Sequence, residues 1–235
     1  MKVRIKFRKY GALKFIGHLD VMRYFQKAMR RAQIPVAFTS GYSPHMIMSF
    51  ASPLGIGLTS DGEYFDIELT RPISSREAVE RLNAVGVEGI EVISFRQIPE
   101  DRKSSGMAIV AAADYLVYHK ESMFPEAWKG LEQQFLAEPA VMVWKKTKRS
   151  EKEVDILPMI YRLEMQDRGI FMQVAAGSEQ NLKPGLVMKA FCEFAGGVFQ
   201  EAKYQFHRLE MYADTGRKER RLVSLESLGT EILNP

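Results

Sequence analysis

The order in which two hydrophobic periods follow one another constrains this chain more than any other feature. Val3, Ile5 and Phe7 alternate with Lys2, Arg4, Lys6 and Arg8, the period of two that a strand with one buried face requires. Leu19, Met22, Phe25, Met29 and Ala32 then fall at helical spacing over residues 19–33, with Arg23, Lys27, Arg30 and Arg31 on another side. Pro35 stops that helix, because the residue before a proline is pushed out of the helical region. A turn-rich loop, Ser40-Gly41-Tyr42-Ser43-Pro44-His45, leads to an apolar run at 46–51 and an alternating strand at 63–70. Ser74 and Glu77 form a capping box for a helix over 75–85, and Ile90 and Val92 belong to a strand that ends near Pro99. The order β-α-β-β-α-β is that of a ferredoxin-like domain, a split βαβ with helices on one face of a four-stranded antiparallel sheet.

A second cycle follows. Residues 100–106 are polar and read as a linker. Beyond them, 115–120 reads as a strand and 125–137 as a helix, with Pro125 suited to its first turn. Residues 141–144, 160–165 and 170–174 read as strands, the last two joined by a tight turn at 166–169. A helix over 183–194 is closed by Gly196-Gly197, and 204–212 is a final strand. The expected fold class is α+β: two tandem ferredoxin-like (split βαβ) domains with antiparallel sheets, a basic one at 1–99 and a second at 107–212. A charged tail at 213–235 is expected to be partly disordered or helical.

Of the 235 residues 46% are hydrophobic and 26% charged, which excludes wholesale disorder. One cysteine, Cys192, allows no intrachain disulfide, zinc finger or iron–sulfur cluster, and it reads as a small core residue in a reducing compartment. Residues 1–8 carry a charge at every second position where a signal peptide needs an apolar run. The longest apolar stretch, 46–58, is interrupted by Ser49, Ser52, Pro53, Gly55 and Gly57 and is too short to span a bilayer. A cytoplasmic protein without membrane contact is expected. No phosphate loop, dinucleotide fingerprint, H-E-x-x-H or G-x-S-x-G elbow is present, and four scattered histidines make a protein-ligated metal unexpected. No cofactor is expected.

Charge is concentrated at one end. Residues 1–50 hold ten basic side chains against the single acid Asp20, a net of +9 in a chain whose total is +4. Such a bias points to polyanionic partners. Lys2, Arg4, Lys6 and Arg8 are expected on the open face of the first sheet, where they suit a phosphate backbone or pair with Asp66 and Glu68 of the neighbouring strand. Only Tyr64 offers that face an aromatic ring for base stacking. Arg23, Lys27, Arg30 and Arg31 extend the patch or form an ordinary solvated helix face. The loop Gly41-Tyr42-Ser43-Pro44-His45 is built to hold a shape and is a candidate contact for a partner or substrate. His18 sits at a helix start and reads as a capping residue, whereas His18 and His45 together are weak candidates for a general acid and base acting on RNA.

Phe15-Ile16-Gly17-His18-Leu19-Asp20, the Arg-rich helix through Arg30-Arg31-Ala32, Gly41-Tyr42-Ser43-Pro44-His45, Pro53-Leu54-Gly55-Ile56-Gly57 and Glu63-Tyr64-Phe65-Asp66-Ile67 together resemble the bacterial radical SAM-associated (radical SAM-linked) proteins, a family of unknown function. The resemblance extends through Lys152-Glu153-Val154-Asp155-Ile156-Leu157-Pro158 and His207-Arg208-Leu209-Glu210-Met211-Tyr212. Gly17 stands where that family more usually has serine, which removes a hydroxyl from the loop. Members are typically encoded beside a radical SAM protein or fused to its C-terminal side, often close to a ribonuclease of the E/G type. The resemblance therefore implies a radical SAM enzyme as partner, and with Cys192 alone this chain lacks the three cysteines that such chemistry needs. The arrangement is also similar, in fold alone, to the tandem ferredoxin-like endoribonucleases that process CRISPR repeats.

Three functions follow as expectations. The leading one is a non-catalytic accessory protein that binds RNA, such as tRNA or another structured RNA, and works with a separately encoded radical SAM enzyme. The others are an RNA-processing enzyme using His18 or His45, and a scaffold that docks the partner enzyme without binding RNA.

Overall fold

A computed structural model describes residues 1–101, 103–146 and 151–233. The N-terminal half runs β1 (Lys2–Lys9), α1 (His18–Arg31), β2 (Met48–Phe50), β3 (Thr59–Glu68), α2 (Ser75–Ala84) and β4 (Ile90–Gln97). A single turn, α3 (Gly106–Ile109), leads to β5 (Val110–His119), α4 (Leu131–Leu136), β6 (Met142–Lys146), β7 (Glu151–Asp155), β8 (Ile160–Gln166), β9 (Gly169–Ala175), α5 (Pro184–Phe194) and β10 (Tyr204–Asp214). Two short strands, β11 (Leu222–Ser224) and β12 (Thr230–Glu231), close the chain. The fold is mixed α+β, with one large, mostly antiparallel sheet and few helices.

The principal path through that sheet is β12-β4-β1-β3-β10-β5-β9-β8, with β2 added to β3 and β11 added to β10. Its two halves meet at a short parallel contact, where His207 and Arg208 of β10 lie beside Thr59 and Ser60 of β3. On that same outer edge, further along β3, Met48–Phe50 pairs with Phe65, Asp66 and Ile67. The sheet thus runs across the boundary expected at 99–107.

Each half has its own core on the helix side. Val21, Phe25, Ala28 and Met29 form the buried stripe of α1 and pack with Ile5, Phe7 and Phe65. Phe7, Phe25 and Phe65 meet at centroid distances of 4.5 to 5.8 Å, a geometry that adds to their burial. Gln33, in left-handed conformation at φ 55°, follows the last turn of α1. Ser74 accepts from the Glu77 amide at 3.2 Å, the cap expected for α2. In the second half Val187, Met188, Phe191 and Cys192 of α5 join Val117, Met172 and Val174.

Three expectations need correction. The helix expected over 125–137 is reduced to Leu131–Leu136 after a single 3₁₀ turn at Glu126–Trp128, because Gly130 adopts a left-handed φ of 85° between them. The polar stretch 100–106 is folded rather than free: Asp101 accepts from the Ser104 amide and hydroxyl, and the buried Gly106 donates its N–H to Asp66. Arg102 of that stretch lies outside the described residues. Past the end of β10, the tail forms two short strands, β11 on β10 and β12 on β4, with a single 3₁₀ turn at Glu226–Leu228 between them, while its last two residues lie outside the described range. Leu225 and Ile232 anchor it by burial, an apolar contribution that the charge count of the segment conceals.

Candidate functional site

Alternation along β1 sends Val3, Ile5 and Phe7 to the helices and Arg4, Lys6 and Arg8 to the opposite face. The tail meets that face at Leu225 and Glu226, and β10, two strands away in the same sheet, sends Glu210 to it. Arg4 is 2% exposed. Its Nε and Nη2 fork onto Asp66 at 2.9 and 3.0 Å, and the carbonyls of Ser104 and Leu225 accept its remaining bonds. Lys6 donates to Glu210 at 2.8 Å and to Glu226 at 3.0 Å. Burial opposes its charge, but these carboxylates outweigh burial and raise its pKa above the ordinary lysine value. Arg8 donates to Asp61 at 2.7 Å and to Glu91 at 3.4 Å. Lys2 reaches the Asp101 carbonyl at 3.3 Å. Of these four, Arg4 and Lys6 spend their charge inside the protein. Tyr64 is 1% exposed, so it offers no surface for stacking; its hydroxyl donates to Glu210 at 2.6 Å.

These contacts belong to a polar row across the sheet. Strand pairing aligns Arg162 on β8 with Gln173 on β9, Gln173 with Asp114 on β5, and Asp114 with Glu210 on β10. Tyr64 continues the row to β3, Lys6 to β1 and Ser94 to β4. Burial pushes the Asp114 carboxyl above its ordinary value, against hydrogen bonds from Tyr212 and Gln173. Beside the row, Asp61 accepts from His207 Nε2 at 3.0 Å, and His207 Nδ1 lies 2.8 Å from Thr59 Oγ1.

The basic face of α1 is arranged differently. Arg23, Lys27, Arg30 and Arg31 are all exposed, and among the described residues their one ion pair is Arg23 with Asp20 at 3.5 Å. Phe15, just before the helix, and Leu19, in its first turn, are 66% and 59% exposed. The loop 41–45 is exposed throughout. Its shape comes from Gly41, at a φ of 111°, and from Thr39, whose hydroxyl accepts from the His45 amide and lies 3.1 Å from its Nδ1. His18 packs edge-on against Phe50 at 4.9 Å, and burial lowers its pKa. No side chain caps α1, so His18 is a packing residue and not the cap expected of it. No hydrogen bond or ring contact joins His18 to His45 among the described residues.

On the helix side of the joint lies a cavity of about 560 Å³ between the 52–58 loop and the start of α5. Arg208 lines it, turned to the face opposite His207. Its Nε donates to the Tyr115 hydroxyl at 3.1 Å, and its Nη1 to Glu63 at 2.9 Å and to the Ser52 carbonyl at 2.8 Å. Lys9 lies beside this group, bonded to the Ile16 carbonyl at 2.9 Å. Burial lowers the pKa of Lys9, Glu63 raises it in part, and Arg208 lowers it further. Sequence reasoning passed over Arg208, Glu63 and His207 because their partners are about 145 positions away. Their one local signal was a charged residue at a core-facing position, visible for Glu63 and Arg208 once the register is known.

Cys192 is buried, with its sulfur 3.5 Å from the Tyr204 hydroxyl, as a core residue. No group of three or more metal-ligating side chains is found among the described residues, and no described helix is long and apolar enough to cross a membrane.

No curated protein matches the chain. Among solved structures, a chain from the crystal structure of a Cbf5-Nop10-Gar1 complex is similar, with 11% identity and a TM-score of 0.42. The likeness covers 89% of this chain and 48% of that one, so this chain spans about half the length of the neighbour it matches. A family model described as "Uncharacterized protein conserved in bacteria (DUF2344)" matches residues 2–184, and the chain belongs to that family.

Proposed function

We propose that this protein is a non-catalytic accessory factor that binds a structured RNA, such as tRNA, through the exposed face of α1 and works beside a separately encoded radical SAM enzyme in the cytoplasm. The observation that carries the reading is the contrast between two sets of cations. Arg4 and Lys6 are used up by Asp66, Glu210 and Glu226. Arg23, Lys27, Arg30 and Arg31 share one helix face, point to solvent and, among the described residues, meet a single acid. Cations at this spacing grip successive phosphates. The partner comes from the family resemblance, and the lone buried Cys192 leaves the cluster chemistry to that partner. In this reading the loop 41–45, with Tyr42 fully exposed, is the contact for the partner or its substrate. The strand order supports two ferredoxin-like units. In chain order, the four main strands of each half lie as fourth, first, third, second: β4-β1-β3-β2 and β10-β5-β9-β8.

Recovery of the native protein from its cells at physiological salt, with identification of bound RNA and protein, tests the reading. Enriched RNA that is lost on converting Arg23, Lys27, Arg30 and Arg31 to Glu supports it. Recovery of the partner enzyme without RNA sinks the RNA half and leaves a scaffold.

A further inference from the structure

The cavity at the joint carries a positive group that the fold does not finish using. Arg208 is 4% exposed, yet its bonds to Tyr115, Glu63 and Ser52 employ only Nε and Nη1. Among the described residues no acceptor is bonded to Nη2. That nitrogen is not fully enclosed, and Arg208 is one of the residues that line the cavity. A buried guanidinium held by its other nitrogens, with one arm free, is a preorganised half of an anion site.

The rest of the wall agrees. Lys183 and Lys189 stand at the opening, with Lys189 paired only loosely to Glu193 at 3.9 Å on the exposed side of α5. The amino-terminal end of α5, an 11-residue helix, faces the same space and adds its dipole. Among the described residues Glu201 is the only acid on the wall. With Glu63 balancing Arg208, Lys183 and Lys189 against Glu201 leave the wall net positive, which suits an anionic group. Behind them Leu58, Leu186, Phe199 and Phe206 give the cavity an apolar wall, and its volume falls in the range of ligand pockets.

We propose that this cavity binds a phosphate monoester carrying a planar or apolar body, with the phosphoryl group between Arg208 Nη2 and the start of α5 and the body against Leu58, Leu186, Phe199 and Phe206. A free nucleotide and the terminal nucleotide of a 5′-phosphorylated RNA present this same chemistry. The site is separate from the exposed face of α1 and stands whether or not that face binds RNA.

Amide chemical shifts of the full chain, followed during titration with adenosine 5′-monophosphate, adenosine, and a short oligoribonucleotide bearing a 5′-phosphate, test it. Shifts at residues 52–58 and 182–189 with the monophosphate, and at least tenfold weaker binding of adenosine, are expected. An oligonucleotide that reproduces the shifts identifies an RNA end as the source, and one that does not identifies a free nucleotide. Arg208 also pairs with Glu63, so its removal endangers folding; Lys183→Glu with Lys189→Glu, both at the surface, is the informative variant. That variant is expected to bind the monophosphate about tenfold or more weakly, the equivalent of about 1.4 kcal/mol. Absence of shifts up to about 10 mM ligand, a limit weaker than about 3 kcal/mol of binding, overturns the proposal. So do shifts confined to α1, or equal affinity in the lysine variant; in each case the RNA reading of α1 is untouched.

Discussion

Lys6, in the first strand, donates a hydrogen bond of 3.0 Å to Glu226, which lies 220 positions further along the chain. The contact shows why a basic strand is not a basic surface. The tail brings Glu226 over β1, with Leu225 fully buried beside it, and β10 brings Glu210 to the same ammonium group.

Lys6→Met retains the aliphatic stem but removes the cation that Glu210 and Glu226 share, leaving Tyr64 on the first and Ser94 on the second. Loss of one partner of such a pair costs about 2 to 4 kcal/mol. An unfolding free energy from urea denaturation lowered by that amount, with the RNA affinity of the folded protein unchanged, is the expected outcome. Wild-type stability together with weakened RNA binding would return Lys6 to the ligand-binding face.

Neutralising the four α1 cations to Gln should behave in the opposite way. Substitutions at exposed positions change stability by about 0.5 kcal/mol or less each. Each phosphate contact removed takes about 0.7 to 0.9 from the slope of log affinity against log salt. Affinity measured from 50 to 200 mM salt, concentrations at which such contacts differ strongly, should therefore show a flatter line for the variant. Parallel lines would mean that α1 makes no phosphate contact.

Acid should weaken the tie between the halves. Burial disfavours the Asp61 carboxylate, but hydrogen bonds from Arg8 and His207 outweigh it and hold its pKa below the ordinary 3.8. Glu226 lies below 4.5 for the same balance, with Ser94 and Lys6 as donors. A carboxyl whose folded pKa is depressed adds stability above its unfolded value, and that stability is lost as pH falls through the folded value. The unfolding free energy should fall below about pH 4, the region set by these two groups. Asp61→Asn should be less stable than the parent at pH 7, with the gap narrowing as pH drops towards 3. Glu63, which burial pushes the other way, is common to both proteins and cancels in that difference. A gap that stays constant with pH would remove Asp61 from this balance.

The local layer of this fold was legible. Alternation placed β1, and the Ser74–Glu77 spacing placed the start of α2, because both are set by neighbours within a few residues. Leu225 and Ile232 escaped notice, since two apolar side chains in a charged segment show no period, and only their burial against β1, β4 and β10 reveals the tail as part of the sheet. The site followed the same rule. The exposed cations of α1 were read from helical spacing, whereas Arg208 was missed because Glu63 and Tyr115, which aim it, are 145 and 93 positions away. The cross-strand alternative for Arg4 was also legible: Asp66 is its direct neighbour in the register.

The joint between the halves rests on Gly62. A Cβ built there would lie 2.7 Å from the Leu209 carbonyl oxygen and 2.8 Å from Glu210 Cα, both backbone atoms of β10 that cannot swing aside. Only a residue without a side chain lets β3 pass this close to β10, and the close passage sets the Tyr64–Glu210 and His207–Asp61 bonds on either side of it. Gly62→Ala must push the strands apart, and overpacking of this kind costs about 1 to 3 kcal/mol. Gly55→Ala provides the control, because its Cβ would meet only Leu58 Cδ1 at an ordinary 3.7 Å, and it should change stability by about 0.5 kcal/mol or less. Equal unfolding midpoints for the two variants would show that the halves are not held at this contact. A loss confined to Gly62→Ala, accompanied by faster amide exchange in β10 than in β1, would make the β3–β10 contact the seam at which the sheet opens first.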